Sequence, residues 1–99
     1  MIVRIVHMFF RPEEEAGFLD VFEKSAEKIR SFEGCMRLEL WKNKSVKGGY
    51  TTYSLWEDED SLNNYRQSTL FKSTWSATKK LFKDKPIAYS FEQTTFVLP

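Results

Sequence analysis

The chain contains very little cysteine or histidine, and it lacks the common phosphate-binding motifs. Its one cysteine, Cys35, cannot form a disulfide within the chain, which excludes a small scaffold held together by disulfides. Its one histidine, His7, excludes a metal site built on two histidines, and no second cysteine lies near Cys35. Neither G-x-G-x-x-G nor G-x-x-x-x-G-K occurs, so nucleotide binding has no support. The sequence predicts no metal site.

Charge of one sign and long apolar runs are also scarce. Fifteen Lys and Arg oppose fourteen Asp and Glu, which leaves a formal net charge of +1 and argues against a nucleic-acid partner. No apolar run is longer than that of Met8 to Phe10, far short of the ~20 residues of a membrane span. Arg4 and His7 interrupt the place where a signal peptide would be apolar. We expect a cytoplasmic protein with no membrane partner and an uncharged ligand.

Aromatic residues, in contrast, are plentiful: 16% of the 99 residues are Phe, Tyr or Trp. A chain of this length supports one domain, residues 1–99, which buries about 60% to 70% of its unfolded surface. A core of that modest size does not need so many aromatic side chains. Part of the aromatic content should therefore serve a partner or a ligand.

The first apolar segment, Ile2 to Phe10, is β-branched and aromatic and predicts a strand. Alternation makes both of its faces apolar, so the strand should be central and covered on both sides. We expect His7 to face the helices. The opposite face then carries Ile2, Val6, Met8 and Phe10.

The next segment predicts a helix. Pro12 and the glutamates that follow it suit a helix start, since the ring fixes φ and the carboxylates interact favourably with the helix dipole. Gly34 should end this helix near Phe32. Its apolar stripe is predicted to be Phe18, Leu19, Phe22, Ala26, Ile29 and Phe32.

Residues 36–41 and 50–56 alternate around a Gly48-Gly49 turn and predict an antiparallel hairpin. Asp58 can cap a second helix, and Ser68 offers a point where that helix bends or restarts. Its apolar stripe is predicted to continue through Leu70, Phe71, Trp75, Thr78 and Phe82.

Pro86 should end the second helix, and residues 88–98 predict a last strand. The order is then β-α-β-β-α-β. This order predicts a ferredoxin-like βαββαβ fold of the α+β class, a four-stranded antiparallel sheet with its helices on one face.

Helices on one face leave the other face of the sheet open. Because that face should be apolar beyond what a monomer normally exposes, we expect a homodimer formed face to face. The alternative is that long side chains such as Arg37 and Lys42 cover the face.

The third strand and second helix carry the most suggestive aromatic residues. Tyr65 and Trp75 lie ten residues apart, close to three helical turns, so a straight helix would place them on one face. With Trp56 and Phe71 they could line a cleft between helix and sheet, where Asn64 could meet a polar ligand. Core packing is the alternative interpretation.

Four segments carry a recognisable pattern: Ile2-Val3-Arg4-Ile5-Val6, Phe32-Glu33-Gly34-Cys35, Tyr53-Ser54-Leu55-Trp56-Glu57 and Leu62-x-x-Tyr65-Arg66-x-Ser68-x-x-Phe71. In this order and spacing they resemble the antibiotic biosynthesis monooxygenase-like (ABM) family over essentially the whole chain. The resemblance implies a dimeric α+β barrel with a pocket between sheet and helices in each subunit.

The resemblance also implies a chemistry. The family includes cofactor-independent oxygenases of anthrone-like polyketides, in which the reduced aromatic substrate supplies the electrons to dioxygen. It therefore implies a monooxygenase (an oxidoreductase) that acts on a planar aromatic or quinol-type molecule without a cofactor. The alternative is a non-catalytic dimer that binds a small molecule. Haem degradation is least expected, because the haem-ligating histidine of those relatives falls at Trp75, which cannot ligate iron.

Quinol-oxidising relatives often have a histidine where this chain has Tyr65, which leaves His7 as the one candidate base near neutral pH. We predict that His7 acts as a base or hydrogen-bond partner of the substrate oxygen and that Tyr65 orients this oxygen. The predicted substrate-binding residues are Trp56, Asn64, Phe71 and Trp75.

Overall fold

The computed structural model describes all residues from Met1 to Pro99 and has the predicted order of strands and helices. The elements are β1 (Ile2–Phe10), α1 (Glu15–Arg30), β2 (Cys35–Lys42), β3 (Gly49–Trp56), α2 (Glu59–Arg66), α3 (Thr69–Lys79) and β4 (Phe82–Glu92). The strands form one antiparallel sheet in the order β2-β3-β1-β4. The predicted ferredoxin-like α+β fold is confirmed. No helix is both long and apolar enough to cross a membrane.

The first helix begins as predicted but ends earlier. A short 3-10 turn, Pro12–Glu14, leads into α1, which ends at Arg30 rather than near Phe32. Gly34 follows in the turn with a φ of 88°, and a Cβ on it would lie 2.3 Å from the side chain of Ser61. Glycine is therefore needed both for its backbone conformation and for the close approach of α2. Leu19, predicted to be in the apolar stripe, is 40% exposed.

The second helical region restarts where the sequence predicts. The Asp58 carboxylate accepts a hydrogen bond from the Ser61 backbone N–H at 2.8 Å and caps α2. The Ser68 hydroxyl accepts one from the Phe71 backbone N–H at 3.1 Å and caps α3. Each cap satisfies a backbone donor that the first helical turn leaves free. The break between the two helices is therefore encoded locally.

The predicted bounds of the last strand are wrong. β4 begins at Phe82, which was expected in the helix, and ends at Glu92, so residues 93–98 lie outside it. Pro86 lies within the strand instead of ending the helix. It is tolerated because β4 is an edge strand and its pairing with β1 shifts register between His7 and Phe9.

β1 is central, as predicted, but its two faces are the reverse of the expectation. Met8 and Phe10 are buried in a cluster with Phe18 of α1, so their face is the one that the helices cover. His7 lies on the open face of the sheet, and the expectation that it faces the helices is wrong. Both faces of β1 are apolar, so alternation alone does not tell which one packs on the helices.

Two small core clusters lie at opposite ends of the helix-covered face. One contains Met8, Phe10, Phe18 and Tyr50. The other contains Cys35, Trp56 and Leu62. Ile2 pairs with Trp56 and Met8 pairs with Tyr50, which places the clusters at the two ends of the β1–β3 pair. The space between the clusters holds the candidate site.

Candidate functional site

A cavity of about 330 Å³ lies between the helices and the middle of the sheet. It exists because the sheet positions between the two core clusters carry small or short side chains, among them Val6, Thr52, Ser54 and Ala88. At both ends of the same face, large residues such as Trp56 and Phe10 fill the gap to the helices completely. The cavity volume is at the lower end of the range for small-molecule sites.

All three helices and all four strands contribute to the walls of this cavity. The lining residues are Arg4, Val6, Phe18, Val21, Phe22, Ser25, Ile29, Leu38, Thr52, Ser54, Trp56, Leu62, Tyr65, Arg66, Phe71, Thr74, Trp75, Thr78, Pro86 and Ala88.

Four of the predicted site residues form one continuous aromatic wall. Trp56 stacks on Tyr65 with ring centroids 4.9 Å apart, and Phe71 meets Tyr65 edge-on at 5.2 Å. Phe71 in turn stacks on Trp75 at 6.0 Å. Although α2 and α3 are separate helices, their junction keeps Tyr65 and Trp75 on the same side. Such a wall suits a flat apolar ring system.

The Tyr65 hydroxyl makes no hydrogen bond within the chain. Burial, followed by the nearby Cys35, raises the pKa of Tyr65 to about 12, so the hydroxyl stays protonated at neutral pH. A protonated phenol can donate to a ligand oxygen. The indole N–H of Trp56 already donates to the Ser54 hydroxyl at 2.9 Å. Because Trp56 is also fully buried, it supports the Tyr65 ring from behind and offers no free donor.

Two predicted site residues lie elsewhere. On the open face of the sheet, the His7 Nδ1 is hydrogen-bonded to the Thr51 hydroxyl at 2.7 Å, and the His7 ring meets Tyr89 edge-on. Asn64 is exposed on α2 and does not line the cavity. The structure therefore brings Trp56, Tyr65, Phe71 and Trp75 together but separates His7 and Asn64 from them.

The sequence-based prediction missed two arginines in the cavity wall, Arg4 and Arg66. The Arg4 Nη1 donates to the Ser90 hydroxyl at 2.9 Å. Burial, followed by the positive charge of Arg66, lowers the pKa of Arg4. For Arg4 the signal was present in the sequence, since it is the one charged residue in β1, where every other residue except His7 is apolar.

The remaining polar lining is neutral. The hydroxyl of Thr78 donates to the Thr74 carbonyl at 2.8 Å, and that of Ser25 donates to the Val21 carbonyl at 2.8 Å. These two hydroxyls are therefore committed as donors to their own helices and are left as acceptors. No three His, Cys, Asp or Glu side chains converge on a possible metal position.

Residues 1–75 match the model of the antibiotic biosynthesis monooxygenase family, so the chain belongs to this family. The predicted resemblance is thereby confirmed. No curated protein sequence matches the chain significantly.

Solved structures share the fold at low sequence identity. A protein of Caulobacter crescentus CB15, described only provisionally as an antibiotic biosynthesis monooxygenase, has a TM-score of 0.90 at 22% identity, over 95% of this chain and 90% of that one. A similarly described protein of Deinococcus radiodurans has a TM-score of 0.84 at 17% identity, over 100% of both chains. A mutant of SnoaB, a cofactor-independent oxygenase from Streptomyces nogalater, has a TM-score of 0.83 at 17% identity, over 97% of this chain and 95% of SnoaB.

Proposed function

We propose that this chain is a cofactor-independent monooxygenase that oxidises a planar aromatic or quinol-type molecule with dioxygen inside the cavity. The observation that supports it is the continuous wall of Trp56, Tyr65, Phe71 and Trp75 beside a protonated phenol donor. Family membership and the fold shared with SnoaB agree with this proposal.

The proposed reaction requires no redox group from the protein, because the substrate itself reduces dioxygen. For an anthrone-like substrate, a ring CH2 group becomes a carbonyl. One atom of dioxygen becomes the carbonyl oxygen, and the other leaves as water with the two hydrogens of the CH2 group. The substrate supplies all the electrons, so the protein needs to bind the ring, stabilise its phenolate and exclude water.

Each role falls to a residue of the cavity wall. Phe71 and Trp75 pack on the ring system, the buried Trp56 supports the ring of Tyr65, and the Tyr65 hydroxyl donates to the substrate oxygen and orients it. The Tyr65 hydroxyl also stabilises the phenolate, and the positive charges of Arg4 and Arg66 favour a ligand that carries a negative charge. Because His7 and Asn64 do not reach the cavity, this proposal gives them no role in it.

The proposed assembly is a cytoplasmic homodimer formed by the open face of the sheet. Trp41, Ile87, Tyr89 and Phe91 on that face each expose between 44% and 52% of their surface. These residues replace the set predicted from sequence, which lies under the helices. A second copy that covered this face would remove from water an apolar patch that monomers rarely expose.

The alternative is a non-catalytic dimer that binds the same kind of molecule. One observation favours it: the titratable side chains of the cavity wall are Arg4, Tyr65 and Arg66, none of which is a base near neutral pH. In this case a ligand would raise the melting temperature without being consumed.

Oxygen uptake with a panel of anthrones and quinols decides between the two. We expect turnover by the wild type and a loss of about ten-fold or more in Tyr65→Phe, because a donor to the developing oxyanion is removed. Tyr53→Phe, on the open face, is the matched control and should keep the wild-type rate. Uptake equal to that in buffer for every compound would refute the oxygenase. A stabilising compound that is not consumed would then support the binder.

A further inference from the structure

The cavity holds two positive charges and no negative one. Arg4 projects from the middle of β1, and Arg66 is the last residue of α2. No Asp or Glu lines the cavity, and neither arginine takes part in any ion pair of the chain. This local charge differs from the nearly neutral balance of the whole chain.

Arg4 has unused hydrogen-bonding capacity. Its neighbours across the sheet are Ser54 and Ser90, and only the Ser90 hydroxyl accepts a hydrogen bond from it. A guanidinium has five N–H donors, so most of those on Arg4 have no partner in the chain. The nearest acidic position along β4 is Glu92, which is paired with Ile2, is exposed, and makes no ion pair with Arg4.

The two arginines are electrostatically unfavourable neighbours without an anionic partner. Arg66 is exposed and Arg4 is partly buried, and each repels the positive charge of the other. Like charges beside an apolar wall cost free energy unless an anion lies between or next to them. An anionic group on the ligand would supply the missing partner and accept the free N–H donors.

We propose that Arg4 and Arg66 form a carboxylate subsite, so that the ligand of this cavity is a planar aromatic acid. The planar guanidinium fork matches the two oxygens of a carboxylate. A carboxylate attached to a ring can lie in the plane of that ring and fit beside the aromatic wall, whereas a phosphate is tetrahedral and bulkier. The inference rests on the proposed function in one respect, namely that this cavity is the substrate site.

A matched pair of ligands tests the subsite directly. Titration calorimetry would compare 2-naphthoate with 2-naphthamide, which has the same ring and shape but no charge. We expect the acid to bind about ten-fold or more tightly than the amide, a difference of about 1.4 kcal/mol. Arg4→Gln and Arg66→Gln should each weaken binding of the acid toward that of the amide, with a much smaller effect on the amide. Lys72→Gln, which removes an exposed charge outside the cavity, should change neither.

The melting temperature without ligand distinguishes an anion-binding role of Arg66 from a merely structural one. Because Arg66→Gln removes a like-charge repulsion, its melting temperature without ligand should equal or exceed that of the wild type, while its affinity for the acid falls. A structural arginine would show a lower melting temperature and weaker binding of both ligands. That outcome would overturn the proposal.

Three further results would also overturn it: equal affinities for acid and amide, no binding of either at millimolar concentration, or competition by inorganic phosphate as effective as that by 2-naphthoate. The last would assign the subsite to a phosphate instead. The oxygenase proposal can fail without the carboxylate-subsite proposal, because selective binding of the acid without oxygen uptake would still support the subsite. Oxidation of neutral and acidic substrates at equal rates and with equal affinities would support the oxygenase proposal and refute the subsite.

Discussion

The two faces of the sheet use the same strands for different purposes. The helix-covered face has large side chains at its ends, such as Phe10 and Trp56, and small ones such as Ser54 and Ala88 in between. The open face has large apolar side chains, such as Phe91, that no helix covers. The first arrangement produces a cavity, and the second leaves large apolar side chains exposed. Side-chain size along each face therefore separates a candidate ligand site from a candidate partner site.

The largest expected effect is on the helix-covered face. Trp56 is 0% exposed, so Trp56→Ala should lower the free energy of unfolding by about 3–5 kcal/mol through lost burial and the hole that remains. Trp41→Ala is the matched control on the open face and should lower the free energy of unfolding of the monomer much less. Urea unfolding at a concentration where the chain is monomeric measures both. Equal losses would mean that the two faces do not differ as described.

The second largest effect concerns the open face. Phe91 is 52% exposed in the single chain, and Phe91→Lys should place a charge in the proposed dimer interface. We expect a loss of about 2 kcal/mol or more in association, as for a central apolar contact. Light scattering should show the wild type at twice the chain mass of 11.7 kDa and the variant shifted toward that mass. A wild type of 11.7 kDa at micromolar concentration would refute the dimer.

A smaller effect should appear at alkaline pH. The folded pKa of Tyr65 is raised to about 12, so the unfolded chain loses this proton first, and stability should fall as the pH rises from about 10 toward 12. Below pH 10 the contribution is constant. Tyr65→Phe should flatten this part of the curve of urea midpoint against pH. An unchanged slope in the variant would show that Tyr65 titrates normally in the folded chain.

The smallest expected effect is at His7. Because its ring is hydrogen-bonded to Thr51 on the open face, His7→Ala should change oxygen uptake by no more than about two-fold, a free-energy difference well under 1 kcal/mol. Tyr65→Phe, in the cavity wall, serves as the reference for a large loss. A loss in His7→Ala as large as that in Tyr65→Phe would restore the role predicted from sequence. It would also mean that a change on the open face affects the cavity on the other side of the sheet.

Much of the fold is predictable because its signals are short-range. The side chains of Asp58 and Ser68 cap α2 and α3 by accepting from backbone donors three residues further along the chain. The bounds of β4 were not predictable. A proline after a helical pattern usually indicates the end of the helix, and only the sheet topology shows that Pro86 lies on an edge strand. The aromatic wall was predictable in part, since Tyr65, Phe71 and Trp75 share the second helical region.

The amino-acid sequence by itself determined the family, the order of the elements and the aromatic residues of the cavity, since these depend on local patterns and spacing. Only the tertiary structure decided which face of β1 the helices cover. That choice removed His7 from the cavity and brought Arg4 close to Arg66, 62 positions away along the chain. The physical reason is that β1 is apolar on both faces. Its orientation is therefore set by the packing of Met8 and Phe10 on Phe18 of α1 rather than by its own alternation.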